Sequence, residues 1–308
     1  MLPVSEQERV PKVSSSERVV FLNDKFVAEH EAALSIFDRG VLYGDAVFET
    51  AFAWDGRIFK LDRHLERLRQ SLQVVCIELP MTFTALREAI VETVRRNQLQ
   101  NAYIKWLVTR GTGPMLSFDL RKCEPSVIVF ARDYLYLMDP AKAAQGISVN
   151  IPKTRRIPQE CLDPRVKSVN YLSFVVARIE ATRAGYDETI LLDMAGRLTE
   201  ASGYNLFVVK NGGIATPSEG VLEGVTRETI LDLCAELRIP ATARSLTPYD
   251  AYTADEVFLT STAGGLVPVR AIDGRQVGTG QPGPVFYRLK DAYEALIASG
   301  THGTPIYS

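Results

Sequence analysis

Cysteine is scarce in this chain: four in 308 residues, at positions 76, 123, 161 and 234, with no C-x-x-C pair among them. Thiols so few and so far apart argue against a disulfide framework and a zinc site, and they read as reduced and mostly structural, with no metal expected. Excess charge is also missing. A formal net charge of -2 and a pI near 6.0 leave no broad basic field, which sets aside nucleic acid and anionic membrane as partners and confines any anion site to a local feature. No apolar run approaches the roughly 18 residues of a membrane helix. The N-terminus, MLPVSEQERVPKVSSSERVV, is polar where a secretion signal needs an apolar core, so a soluble cytoplasmic protein is expected. A dinucleotide fingerprint is absent too, because Gly111-Thr112-Gly113 and Gly278-Thr279-Gly280 do not continue as G-x-G-x-x-G from a strand into a helix.

What is present suits a globular chain, 46% hydrophobic, with a sizeable core. Residues 1–17, rich in Ser, Glu and Pro, read as a loosely held arm. VVFLNDKFVA predicts two short strands about Asn23-Asp24, and AVFETAFAWDGRIFKL predicts a hairpin about Asp55-Gly56. Leu61, Leu65, Leu68 and Leu72, then Leu86, Ile90 and Val94, recur at helical spacing. With the strands AYIKWLVTR and SVIVFARDY they complete a small α+β domain over residues 18–137, followed by a candidate linker at 138–146. Residues 147–308 alternate strands (GISVNIP, TILLDM, NLFVVK, EVFLT) with helices at NYLSFVVARIEATRAG and RETILDLCAELR, a larger α/β domain that ends in THGTPIYS, read as a tail.

Several segments carry groups suited to chemistry. Lys167, just before a helix and four residues from Tyr171, would alone read as a surface lysine. Glu200 precedes the small-residue loop Ala201-Ser202-Gly203, where a flat ring can pack closely. Gly224-Val225-Thr226 opens a helix, and the backbone N–H groups of a helix start bind phosphate. The loop from Thr260 through Ser261, Thr262 and Ala263 to Gly265 offers further hydroxyl and amide donors, and Arg67 offers a countercharge.

Together the motifs H-x-x-R-L (His64 to Leu68), K-x-x-N-Y-L (Lys167 to Leu172), L-T-E-x-x-x-x-N-L-F (Leu198 to Phe207), L-x-G-V-T-R (Leu222 to Arg227) and T-A-G-G (Thr262 to Gly265) resemble the fold-type IV pyridoxal-phosphate enzymes over about residues 18–290. That resemblance implies a two-domain fold whose larger domain holds a pseudo-barrel sheet, pyridoxal 5'-phosphate as cofactor, and at least a homodimer. It further implies that Lys167 bonds the cofactor, Glu200 meets the pyridine nitrogen and Tyr171 supports the ring hydroxyl. Leu222 would pack on the ring, while Arg67, Val225, Thr226, Ser261 and Thr262 would hold the phosphate. A carboxylate that keeps the pyridine nitrogen protonated lets the ring absorb the electrons left when Cα loses its proton.

The substrate pocket is expected from Tyr43, Phe48, Thr50, Phe52, Lys105 and Ala263, with Phe48 and Phe52 equally readable as core aromatics. Where D-amino acid aminotransferases carry Arg-x-His, this chain has Met115 and Ser117. Lys105 stands where branched-chain enzymes usually have Arg and (R)-selective amine transaminases an acid. Arg110 and Arg121 offer an alternative carboxylate clamp. The T-A-G-G loop and the loss of a basic residue at Phe52 favour an (R)-selective amine:pyruvate transaminase. The L-branched-chain aminotransferase is the alternative, ahead of a D-amino acid aminotransferase, an aminodeoxychorismate lyase and a non-catalytic small-molecule-binding relative.

Overall fold

The computed structural model describes residues 18–114, 119–134 and 140–307. The arm at 1–17, and Met115 and Ser117, lie outside the described residues. In chain order the elements are β1 (Val19–Leu22), β2 (Lys25–Ala28), α1 (Arg39–Tyr43), β3 (Ala46–Trp54), β4 (Arg57–Phe59), α2 (Leu61–Val75), α3 (Phe83–Arg96), β5 (Ala102–Thr112) and β6 (Glu124–Asp133). They continue with α4 (Pro140–Gln145), β7 (Ile147–Asn150), α5 (Leu172–Arg183), β8 (Glu188–Leu192), β9 (Leu198–Ala201), β10 (Asn205–Lys210), β11 (Gly213–Pro217), α6 (Val225–Glu236) and β12 (Ala241–Arg244). The last are α7 (Pro248–Tyr252), β13 (Glu256–Ser261), β14 (Gly265–Ile272), β15 (Arg275–Gln276), α8 (Pro284–Ala298) and β16 (Gly303–Pro305). Two compact units result: Met1–Leu135 with Val166–Asn170 and Ile297–Ser308, and Tyr136–Arg165 with Tyr171–Leu296. The short stretch bearing Lys167 therefore belongs to the first unit.

The first unit is a seven-stranded antiparallel sheet in the order β16-β4-β3-β5-β6-β1-β2. Its tight turns use the expected residues, with Asn23, Asp55 and Gly56 at φ 60°, 48° and 69°, values that Asn, Asp and Gly tolerate best. Alternation along β3 sends Val47, Ala51 and Ala53 to the helix-covered face, where they join Leu61, Leu65, Leu68 and Leu72 of α2 and Leu86, Ile90 and Val94 of α3 in one core. Phe48, Thr50 and Phe52 share the opposite face with their β5 partners Leu107, Lys105 and Tyr103. THGTPIYS is not a tail: β16 pairs with β4, and Ile306 is fully buried in the same core. So short a strand, with one apolar anchor, carries no periodicity to read.

In the second unit the strands follow the order β12-β11-β10-β13-β14-β7-β8-β9, and β9 pairs back onto β10. The ring of β10, β13, β14, β7, β8 and β9 is thereby closed as a barrel around Ile147, Val149, Ile190, Leu206, Leu259 and Val267. The closing pair is Glu200 with Asn205. Within the stretch read as a linker, Pro140–Gln145 form α4. Among the described residues no helix is long and apolar enough to cross a membrane.

Candidate active site

In the first unit, residues 167–169 lie along the edge of β3. Phe48 N donates to Lys167 O (2.9 Å), Val169 N donates to Ala46 O (3.1 Å), and Lys167 N donates to Ser71 Oγ on α2 (3.2 Å). The backbone of Lys167 is thus held by a strand and a helix, which leaves its side chain as the variable part. That side chain reaches the Phe48 ring, with Nζ 4.6 Å from the centroid, and Lys105 Nζ stands 4.4 Å from the same centroid. Burial pushes the Lys105 ammonium below the usual lysine pKa, and the charge of Lys167 lowers it further.

On the opposite face of β3, Glu49 is fully buried. Its carboxylate accepts Arg67 Nε (2.6 Å) and Nη2 (2.8 Å), and His64 Nδ1 (2.8 Å). A carboxylate can only accept, so Nδ1 carries the hydrogen. Burial alone would raise the pKa of Glu49, but the charge and hydrogen bonds of Arg67, with His64, outweigh it and hold the group at about 2. Burial keeps His64 below its ordinary value, against the pull of Glu49.

In the second unit, Glu200 sits at the barrel closure with Oε1 accepting Arg156 Nε (3.1 Å) and Oε2 accepting the Leu222 amide (3.0 Å). Asn205, paired opposite, donates Nδ2 to Leu222 O (2.8 Å), so the loop before α6 is pinned from two sides. A Cβ on Gly224 would meet Asn205 Oδ1 at 2.0 Å. Gly224 therefore stays glycine, and no side chain caps the first turn of α6, where Val225 and Thr226 are buried. The β13–β14 turn is held by Gly264 N donating to Ser261 Oγ (2.9 Å), with Ala263 buried. A Cβ on Gly264 would lie 2.5 Å from Tyr204 Cε1, which places the Tyr204 ring directly against this turn. Burial, and after it the charge of Glu188, raises the phenol pKa of Tyr204.

The amino-transferase class IV family model matches residues 46–272, well over half of the chain. The chain belongs to the class IV aminotransferases. This aminotransferase is 42% identical over 280 residues, 90% of its length and 96% of the relative's, to a putative branched-chain-amino-acid aminotransferase of Methanocaldococcus jannaschii. The fold of the Escherichia coli branched-chain amino acid aminotransferase superposes with a TM-score of 0.91 at 30% identity, covering 94% of this chain and 100% of that one. The branched-chain amino acid aminotransferase of Thermobaculum terrenum, solved in its PLP-bound holo-form, gives 0.88 at 26%, covering 96% and 100%. The fold is therefore fold-type IV, and the enzyme depends on pyridoxal 5'-phosphate. Its residues fit that cofactor: a lysine amine, a buried carboxylate and an uncapped helix start are the donor set that an aldehyde, a pyridine nitrogen and a phosphate require. These relatives are branched-chain amino acid enzymes, so the (R)-amine expectation gains nothing from them.

The structure of this aminotransferase distributes the sequence-predicted residues unevenly. Lys167, Phe48, Thr50 and Lys105 gather on β3 and β5, and Glu200, Leu222, Val225 and Thr226 gather around the start of α6. Phe52 is buried and stacks on Phe59, with centroids 5.4 Å apart. Tyr171 packs on Phe174 in the second unit, while Tyr43 at the end of α1 is 52% exposed beneath the guanidinium of Arg39. Arg110 is buried, with Nε donating to Asp45 and both terminal nitrogens donating to the carbonyls of Val75 and Cys76. The side chain of Arg121 is 89% exposed and pairs with neighbouring Asp119. Glu49, Arg156, Tyr204 and Tyr103 were not read from the sequence, and Asn205 was read only as a motif position. Glu49 left one signal, an acid at an inward position of an apolar alternating strand; Arg156, 44 residues from Glu200, left none.

Proposed function

We propose that this aminotransferase moves the amino group of an L-branched-chain amino acid onto a 2-oxo acid such as 2-oxoglutarate. The observation that carries the reading is the face of β3 and β5 on which Lys105 stands among Phe48, Phe52 and Tyr103. An apolar wall with a desolvated ammonium suits a substrate that is hydrocarbon at one end and carboxylate at the other. An (R)-amine would leave that ammonium unpaired. The branched-chain relatives support the same choice.

Lys167 would hold the cofactor through its ε-amino group, and the same amine is the base placed to take a proton from the substrate Cα. Bound pyridoxal 5'-phosphate supplies the electron sink that makes this Cα–H bond acidic. Glu200, its orientation set by Arg156 and the Leu222 amide, would keep the pyridine nitrogen protonated. Tyr171 would support the ring hydroxyl and Leu222 would pack on the ring. In the second unit Val225, Thr226, Ser261 and Thr262 would hold the phosphate; in the first unit Arg67 would supply countercharge to it and Lys105 would pair with the substrate carboxylate. Ile36, Phe37, Val41 and Leu42, each at least half exposed, are large apolar side chains near one another in sequence, which supports a homodimer.

The test compares kcat/KM of the pyridoxal-phosphate-loaded enzyme for leucine, isoleucine and valine with 2-oxoglutarate against (R)-1-phenylethylamine with pyruvate. Leucine is expected to win by at least about a hundredfold. A faster amine overturns the substrate assignment, and pyruvate release from aminodeoxychorismate without an amino acceptor identifies a lyase instead. Turnover surviving in Lys167→Ala overturns the chemistry.

A further inference from the structure

Glu49 is an expensive residue. It lies on β3 between Val47 and Ala51, on the face that packs against α2 and α3, and none of it is exposed. A buried ion pair is seldom more stable than the hydrocarbon that could replace it, so the carboxylate needs a reason other than stability. The geometry supplies one. Glu49 grips the Nε–Nη2 edge of Arg67 with both oxygens, and this two-point contact fixes the plane of the guanidinium as well as its place. His64, one helical turn before Arg67, pins Oε2 of the same carboxylate and lies edge-on to Trp106, with ring centroids 6.2 Å apart. Ser71, one turn after Arg67, accepts the amide of Lys167. One stripe of α2 therefore anchors both the lysine backbone and the arginine.

We infer that Glu49 is a positioning residue that, steadied by His64, sets the plane of the Arg67 guanidinium for its contact with the cofactor phosphate. This rests on the assignment of Arg67 to the phosphate. Glu49 touches no reacting atom; it acts through Arg67.

The test measures dissociation constants of pyridoxal 5'-phosphate and of pyridoxal, which lacks the phosphate, from apoenzyme prepared from the holoenzyme. Glu49→Asp keeps the charge but withdraws the carboxylate by one methylene. It is expected to weaken pyridoxal 5'-phosphate about tenfold while moving pyridoxal less than about twofold. Arg67→Lys, which keeps charge and loses the fork, should lower the same ratio, and the double variant should lose little more than the worse single one. His64→Phe should shift the ratio the same way by less, and carries the test if Glu49→Asp does not fold. An unchanged ratio in Glu49→Asp or His64→Phe beside a lowered one in Arg67→Lys overturns the positioning role alone. An unchanged ratio in Arg67→Lys overturns the phosphate assignment beneath it.

Discussion

Replacing Arg156 with Met probes the Glu200 environment with a magnitude the structure supplies. The pair is close, Nε to Oε1 at 3.1 Å, and dry, with side-chain exposures of 9% and 7%. At an effective dielectric of about 20, two unit charges at that separation attract by roughly 5 kcal/mol. Removing one partner of a buried pair typically costs about 3–5 kcal/mol, because the other charge stays behind desolvated. The guanidinium also lies 4.6 Å from the Phe174 centroid, a contact worth about 0.5–1 kcal/mol that Met replaces only in part. Arg156→Met apoenzyme should therefore unfold at a urea midpoint lower by roughly 1 M, taking about 3 kcal/mol per molar as the slope. With cofactor bound the loss should shrink by at least about 1 kcal/mol if Glu200 meets the pyridine nitrogen as proposed, because a protonated nitrogen would give it a second positive partner. Adding Glu200→Gln should recover part of the loss in the apoenzyme. A penalty below about 1 kcal/mol in the apoenzyme, or the same penalty with and without cofactor, would refute the reasoning.

Acid should find the triad behind β3. His64 titrates below its ordinary 6.5 in the folded chain and Glu49 near 2; both are depressed, so each contributes stability that is complete above its unfolded pKa and lost as pH falls toward the folded one. Denaturation curves should show stability falling as pH drops from about 7 to 5, and His64→Phe should flatten that slope; an unchanged slope would count against a buried neutral His64. At the β13–β14 turn, Gly264→Ala drives a Cβ to 2.5 Å from Tyr204 Cε1 and 2.8 Å from Ser261 Oγ. The turn must shift, and kcat/KM for the amino acid should fall about tenfold or more; wild-type kcat/KM would show that this turn does not position substrate.

Local features were legible because their causes are local. The Asn23-Asp24 and Asp55-Gly56 turns, the leucine stripe of α2 and the inward alternation of β3 each follow from conformational preference or periodicity within a few residues. So do the Gly224 start of α6 and the turn at Thr262 to Gly265, which is why Lys167, Glu200 and Thr226 stood out as motifs. Arg110 shows where this reading stops. A basic residue beside a loop suggests a clamp, and nothing in that local pattern foretells that all three guanidinium nitrogens donate to Asp45 and to carbonyls at the end of α2.

The sequence by itself determined the two N-terminal hairpins, the leucine-striped helices and the cofactor class, because each depends on residue types at short spacing. Tertiary structure alone decided that β9 closes on β10 at Glu200 and Asn205, that Arg156 steadies Glu200, that Glu49 holds Arg67, and that three residues near the C-terminus complete a sheet. Those pairings join residues 5 to more than 200 positions apart. What selects them is distance in space after the chain has folded, together with the requirement that every buried charge find a partner.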